Sequence, residues 1–174
     1  IDQGDQMGPS QWSVQNGKLI QTSHIYSNPT SPSALIKPGT FLQYNHGFDW
    51  TDYEVSCKIR SQGVNDCGVM FRIVDGLNYY RFNWNHQAGY SRLVKVVNGQ
   101  VSLLDENHKG FAVGQDYTVR LLAIGSWLQV YVDDELWLQA HDQNLKHGTI
   151  GLYCWGNAPV TYFDDIIVKP ASFL

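Results

Sequence analysis

Residues 78–85 read NYYRFNWN. Side chains alternate between faces along a strand. Tyr80, Phe82 and Trp84 therefore share one side, and Tyr79, Arg81, Asn83 and Asn85 share the other. The first set is a core face. The second is polar, yet it carries a ring and a guanidinium. The stretch just before it, CGVMFRIV (67–74), alternates the same way, with Val69, Phe71 and Ile73 inward and Met70 and Arg72 outward. Near the other end, TIGLYCWGN (149–157) sets Ile150, Leu152 and Cys154 inward and Tyr153 and Trp155 outward. A period of two, with no sustained 3.6-residue period, predicts strands.

Working outward, DYEVSCKIR, RLVKVVNG, YTVRLLAIG and WLQVYVDDE follow the same pattern. Turn chemistry separates them at Gln62-Gly63, Asp75-Gly76, Asn98-Gly99, Gly125-Ser126 and Asp133-Asp134. SNPTSPSALIKPG (27–39) reads as a long polar loop that runs into a short strand, GTFLQY. The pattern predicts about ten to twelve strands, all-β, packed as one two-sheet antiparallel β-sandwich over residues 1–174. Neither a linker nor an internal repeat interrupts it.

Composition narrows the function classes. Hydrophobic residues are 43% of the chain, so it is expected to fold. A formal net charge of -4 argues against nucleic-acid binding, which needs a basic face. No apolar run approaches the length of a membrane helix, so no membrane insertion is expected. The chain starts in a polar segment without an initiator Met, as a processed chain or excised module would. Cys57, Cys67 and Cys154 are odd in number and show no CxxC spacing. They read as buried thiols, with one disulfide as the alternative.

The 6 Trp, 10 Tyr and 7 Phe stand out, and such rings can serve as ligand platforms. Sugars stack on rings through their C–H faces, and planar polar side chains read their hydroxyls. Arg72, Tyr79, Arg81, Asn83, Arg92, Tyr153, Trp155 and Asn157 have that chemistry and are the candidate ligand-binding residues. An Arg fork equally suits a carboxylate, such as an acidic sugar or a peptide C-terminus. The bland alternative is an outer face whose arginines simply pair with carboxylates and rings to cover the sheet. Asn85–Gly89 reads as a loop at the rim of this face, or as a plain hairpin connection.

Several motifs follow one another along the chain. They are W-x-V-x-N-G-x-L from Trp12, W-T-D-Y-E-V from Trp50, G-V-M-F-R from Gly68 and N-Y-Y-R-F from Asn78. After them come V-x-V-D from Val130, G-x-I-G-L-Y from Gly148 and F-D-D-I-x-V from Phe163. In this order they resemble the concanavalin A-like, laminin-G-like (LamG-like) jelly-roll superfamily. Within it they are nearest the branch of thrombospondin C-terminal domains, levanase-type carbohydrate-binding modules and 3-keto-disaccharide hydrolase-like domains. The resemblance implies a jelly roll with ligands on one sheet face or its rim. It also implies a structural calcium where the N-terminal segment meets the last strand, which the F-D-D motif would help to bind. Asp2, Asp5 and Asp165 are the ligands this suggests, the alternative being surface carboxylates that cap turns or edges. Asn65 and Asp66 are a second candidate, read rather as a plain turn.

Catalytic signatures are missing. The E-x-D-x-x-E strand motif of concanavalin A-like glucanases is absent, as are HxH, HExxH and G-x-S-x-G. Adjacent aspartates such as Asp164 and Asp165 face opposite sides of a strand, so they make a poor acid/base pair. The expectation is a non-catalytic, lectin-like carbohydrate-binding module, extracellular or at the cell surface, standing alone or as a module of a larger chain. An adhesion domain for a protein or peptide and a glycoside hydrolase-like enzyme are the alternatives.

Overall fold

A computed structural model describes residues 1–28, 31, 33–156 and 159–172. Thirteen strands form two sheets, and the described residues contain no helix. The strands are β1 (Trp12–Gln15), β2 (Lys18–Gln21), β3 (Thr40–Gln43), β4 (Tyr53–Ser61), β5 (Asp66–Asp75), β6 (Asn78–Asn85) and β7 (Tyr90–Val97). They continue as β8 (Gln100–Asn107), β9 (Tyr117–Ile124), β10 (Trp127–Val132), β11 (Glu135–His141), β12 (Thr149–Trp155) and β13 (Thr161–Pro170). The seven-stranded sheet runs β1-β2-β13-β4-β9-β10-β11, and the six-stranded sheet runs β3-β12-β5-β6-β7-β8. All pairings are antiparallel.

The alternation in the sequence produces the core. Val55, Cys57 and Ile59 of β4, Val119 and Leu121 of β9, and Leu128 and Val130 of β10 face Val69 and Phe71 of β5, Tyr80, Phe82 and Trp84 of β6, and Leu152 and Cys154 of β12. Fully burying each Val, Leu, Ile or Phe contributes about 1.5–3 kcal/mol, so this layer is the main driving force for folding. All three cysteines are buried thiols, as their apolar strand settings predict.

The other face of the six-stranded sheet is not bare either. Phe41, Met70, Ile73, Tyr79, Val96, Tyr153 and Trp155 form a second apolar cluster there. The chain start lies beside it, since the Gln3 and Gly4 amides both donate to the Gly39 carbonyl (2.8 and 2.9 Å) and Asp2 bridges Thr40.

Two bulges overturn simple alternation. The β5–β6 register shifts between Phe71 and Asp75, and Arg72 takes a left-handed φ of 45°. A bulge adds a residue and re-aims the side chains beyond it. Ile73, expected in the core, therefore lands in the outer cluster. Arg72, expected beside Arg81, turns to the end of the sandwich. The second bulge lies between Asp164 and Ile167, with Asp165 at a φ of 48°. It leaves both aspartates on the surface, where Asp164 pairs with Lys18 and Asp165 with Lys58, each at 2.7 Å.

Candidate functional site

The site is built on the outer face of the six-stranded sheet, around one carboxylate. Asp66, the first residue of β5, is fully buried. It accepts hydrogen bonds from Asn83 Nδ2, from Asn85 Nδ2 (2.7 Å) and from the Tyr90 hydroxyl (2.8 Å), and it pairs with Lys37 Nζ at 3.3 Å. A buried carboxylate is tolerable only with such a set of donors. Asn83 and Asn85 come from alternate positions of β6, and Tyr90 opens β7, directly across from Asn85. Strand register alone therefore assembles three of the four partners.

The fourth comes from the loop. Lys37 is buried, with Nζ 3.9 Å from the Trp155 ring centroid. Its own carbonyl accepts the Tyr153 hydroxyl at 2.7 Å. The loop can lie this close because residue 39 is glycine, where a Cβ would collide with the Cys154 carbonyl oxygen. Burial, opposed only in part by Asp66, lowers the Lys37 ammonium below the usual lysine range, and Arg92 and Arg81 lower it further. Burial, and next the Asp66 charge, push the Tyr90 hydroxyl well above the ordinary tyrosine range.

Two arginines flank this centre. Arg81 stacks on Tyr153, with the guanidinium carbon 4.3 Å from the ring centroid, and donates through Nε to Asn83 Oδ1 (3.1 Å). Arg92 lies 3.8 Å over the Tyr90 ring, pairs with Glu106 and donates to the Ala34 carbonyl at 3.2 Å. Beside Arg81 and Lys37 opens a cavity of about 310 Å³, walled also by Tyr79, Gln3, Ile36 and Val101.

The structure thus brings together Tyr79, Arg81, Asn83, Arg92, Tyr153 and Trp155 among the candidate ligand-binding residues. Two points of the expectation change. Tyr153 and Trp155 are 1% and 8% exposed and lie under Arg81 and Lys37, so they are not open stacking platforms. Arg72 is not part of the group. Its guanidinium donates to the carbonyls of Thr51 (2.8 Å), Gly125 (2.8 Å) and Leu145 (3.1 Å), tying loops at the end of the sandwich. Asn157 lies outside the described residues. Sequence reasoning missed Asp66 and Lys37. Asp66 looked like a turn residue, and the one signal for Lys37 was a lone cation in the apolar run ALIKPG.

The calcium ligands suggested by resemblance do not converge. Asp2 accepts Thr40 Oγ1 at 2.7 Å and the Ser10 amide at 2.9 Å, Asp5 accepts Ser27 Oγ at 2.7 Å, and Asp165 pairs with Lys58 on the opposite sheet. The reason is topological, because β2 pairs with β13 while residues 1–6 run along β3 and Tyr26. Among the described residues no three His, Cys, Asp or Glu side chains gather as a metal site. Asp2, Asp5 and Asp165 therefore do not fit a shared calcium.

Fold and site together define a jelly-roll sandwich of the concanavalin A-like kind with a buried charged cluster on one outer face. The sequence pattern of the 3-keto-alpha-glucoside-1,2-lyase-like domain matches residues 2–169, and the chain belongs to that family. It is 31% identical over 146 residues to a levanase of Bacillus subtilis (strain 168), covering 83% of this chain and 21% of the levanase. It is 25% identical over 134 residues to an extracellular exo-alpha-L-arabinofuranosidase of Streptomyces chartreusis, covering 75% of this chain and 14% of that protein. The chain thus spans about a fifth and a seventh of these two relatives. Among solved structures, the carbohydrate-binding module CBM66 from Bacillus subtilis superposes with a TM-score of 0.76 at 21% identity, covering 92% of each chain. A galectin of Caenorhabditis elegans, LEC-6, superposes with a TM-score of 0.58 at 13% identity, covering 75% of this chain and 89% of the galectin. At these identities the superpositions establish the fold.

Proposed function

We propose that this domain is a non-catalytic carbohydrate-binding module whose sugar site is the cavity beside Arg81 and Lys37. The observation that carries this reading is the arrangement of Arg81, Lys37, Tyr79 and Gln3 around a space of about 310 Å³ on the outer face. Planar and multi-donor groups line a space with apolar walls, which is what a polyol with C–H faces requires. The relatives support the class of ligand, since one is named a levanase and a structural neighbour a carbohydrate-binding module. Binding is favoured over catalysis by the state of Asp66. Its oxygens are occupied by Asn83, Asn85, Tyr90 and Lys37, so it presents no free lone pair or proton to a glycosidic bond. The length of the relatives and the word extracellular in one name support a role as a module of a longer, extracellular protein.

The test is an amide-resonance titration of the domain with levan and arabinan oligosaccharides among a wider neutral panel. Shifts clustered at Tyr79, Arg81 and Val101, lost in Arg81→Ala, are expected. A folded domain whose resonances move with no sugar of any kind would sink the reading.

A further inference from the structure

Resting on the carbohydrate reading, we infer that the cavity beside Arg81 is built for a sugar that carries a carboxylate, a uronate residue. The argument starts from a charge count. The cluster holds three cations, Lys37, Arg81 and the partly buried Arg92, and two anions, buried Asp66 and partly buried Glu106. Glu106 is taken by Arg92 and Asp66 faces Lys37, which leaves one formal positive charge, on Arg81. The chain as a whole is acidic, at -4, so this local excess is not a general property of its surface.

Arg81 is also under-bonded. It is 2% exposed, its Nε donates to Asn83, and its Nη2 is buried with no hydrogen-bond partner among the described residues. The Tyr153 ring beneath it offsets part of the desolvation through a cation–π contact, but a ring accepts no N–H bond in the guanidinium plane. A buried donor left without an acceptor is costly, and more so when it is charged. The cavity wall that contains Arg81 includes Lys37 and no acidic side chain among the described residues. A carboxylate entering there meets Arg81 as the one uncompensated cation, since Lys37 is already paired with Asp66 behind the wall. Ile36, Val96 and Val101 on the same wall supply an apolar surface for a pyranose C–H face. The volume is at the lower end for ligand pockets, which suits a single terminal or branching sugar residue rather than a run of them.

The experiment is calorimetric titration at low salt with glucuronate and galacturonate, their neutral counterparts glucose and galactose, and acetate as a bare carboxylate. Each uronate is expected to bind about tenfold or more tightly than its neutral counterpart, a charge-assisted preference. That preference should shrink as sodium chloride is raised. Arg81→Gln should bring the uronates down to the neutral level, with the fold checked by circular dichroism. If Arg81→Gln does not fold, glucuronamide against glucuronate on the unmodified domain decides, and an uncharged amide that binds as tightly as the acid overturns the inference. Neutral sugars that bind as well as uronates overturn it while leaving the carbohydrate reading intact. Acetate as tight as uronate also overturns it, because the site would then be for a carboxylate and not a sugar. No binding of either uronate overturns it as well, and the carbohydrate reading is then decided separately by the wider neutral panel.

Discussion

Replacing Asp66 with Asn keeps the size of the side chain and one oxygen acceptor but removes the charge. Asn83, Asn85 and Tyr90 donate to the present carboxylate, and the new amide NH₂ would confront at least one of those donors. Each donor left buried and unpaired costs about 1–3 kcal/mol. Lys37, buried and 3.3 Å away, loses its counter-charge. Breaking a buried pair from one side costs about 3–5 kcal/mol. We expect Asp66→Asn to lose about that much stability, since the lost hydrogen bonds and the lost ion pair belong to one network and do not simply add. For a domain of this length the thermal midpoint should fall by roughly 6–20 °C. Urea denaturation of Asp66→Asn, Lys37→Met and the double variant forms a thermodynamic cycle. The double variant should be less damaged than the sum of the singles, with a coupling of about 0.5–3 kcal/mol. A single-variant loss below about 1 kcal/mol, or strict additivity, would refute the claim that this pair anchors the loop to the sheet.

Alkaline pH should destabilise the domain. Burial pushes the Cys57 thiol up to about 12, and burial likewise raises Cys67, Tyr53, Tyr80, Tyr90 and Tyr153 above their ordinary ranges. The unfolded chain therefore releases these protons first, so their contribution is whole below about pH 8.5–10 and is lost as pH rises through the folded values. Lys37, with a lowered pKa, works in the opposite direction but is a single group. Urea midpoints measured from pH 8 to 11 should fall; a flat or rising series would contradict the burial of these groups. Because Asp2, Asp5 and Asp165 are separately paired, EDTA should leave the thermal midpoint unchanged and added calcium should not raise it. A calcium-dependent rise in melting temperature would show that the acidic groups rearrange around an ion.

The sequence alone determined the class of fold and most of the face assignments. Period-two alternation at Tyr80, Phe82 and Trp84 against Arg81 and Asn83 fixes which side is core, because a one-residue slip would invert the whole strand. It also placed Arg81, Asn83 and Tyr153 on a common outer face. Alternation failed at Arg72 and at Asp164–Asp165, where bulges with left-handed residues break the period, and nothing in the local residue types announces a bulge there. The centre of the site was decided by tertiary structure. Asp66 becomes a buried hub because β6 and β7 present Asn83, Asn85 and Tyr90 to it across strand register. Lys37 joins it from about thirty residues upstream in sequence. Such a contact depends on how a loop crosses a sheet, which single-sequence periodicity does not encode. The same crossing buries Tyr153 and Trp155 under cations and leaves Arg81 as the one charge of the cluster without a carboxylate of its own among the described residues.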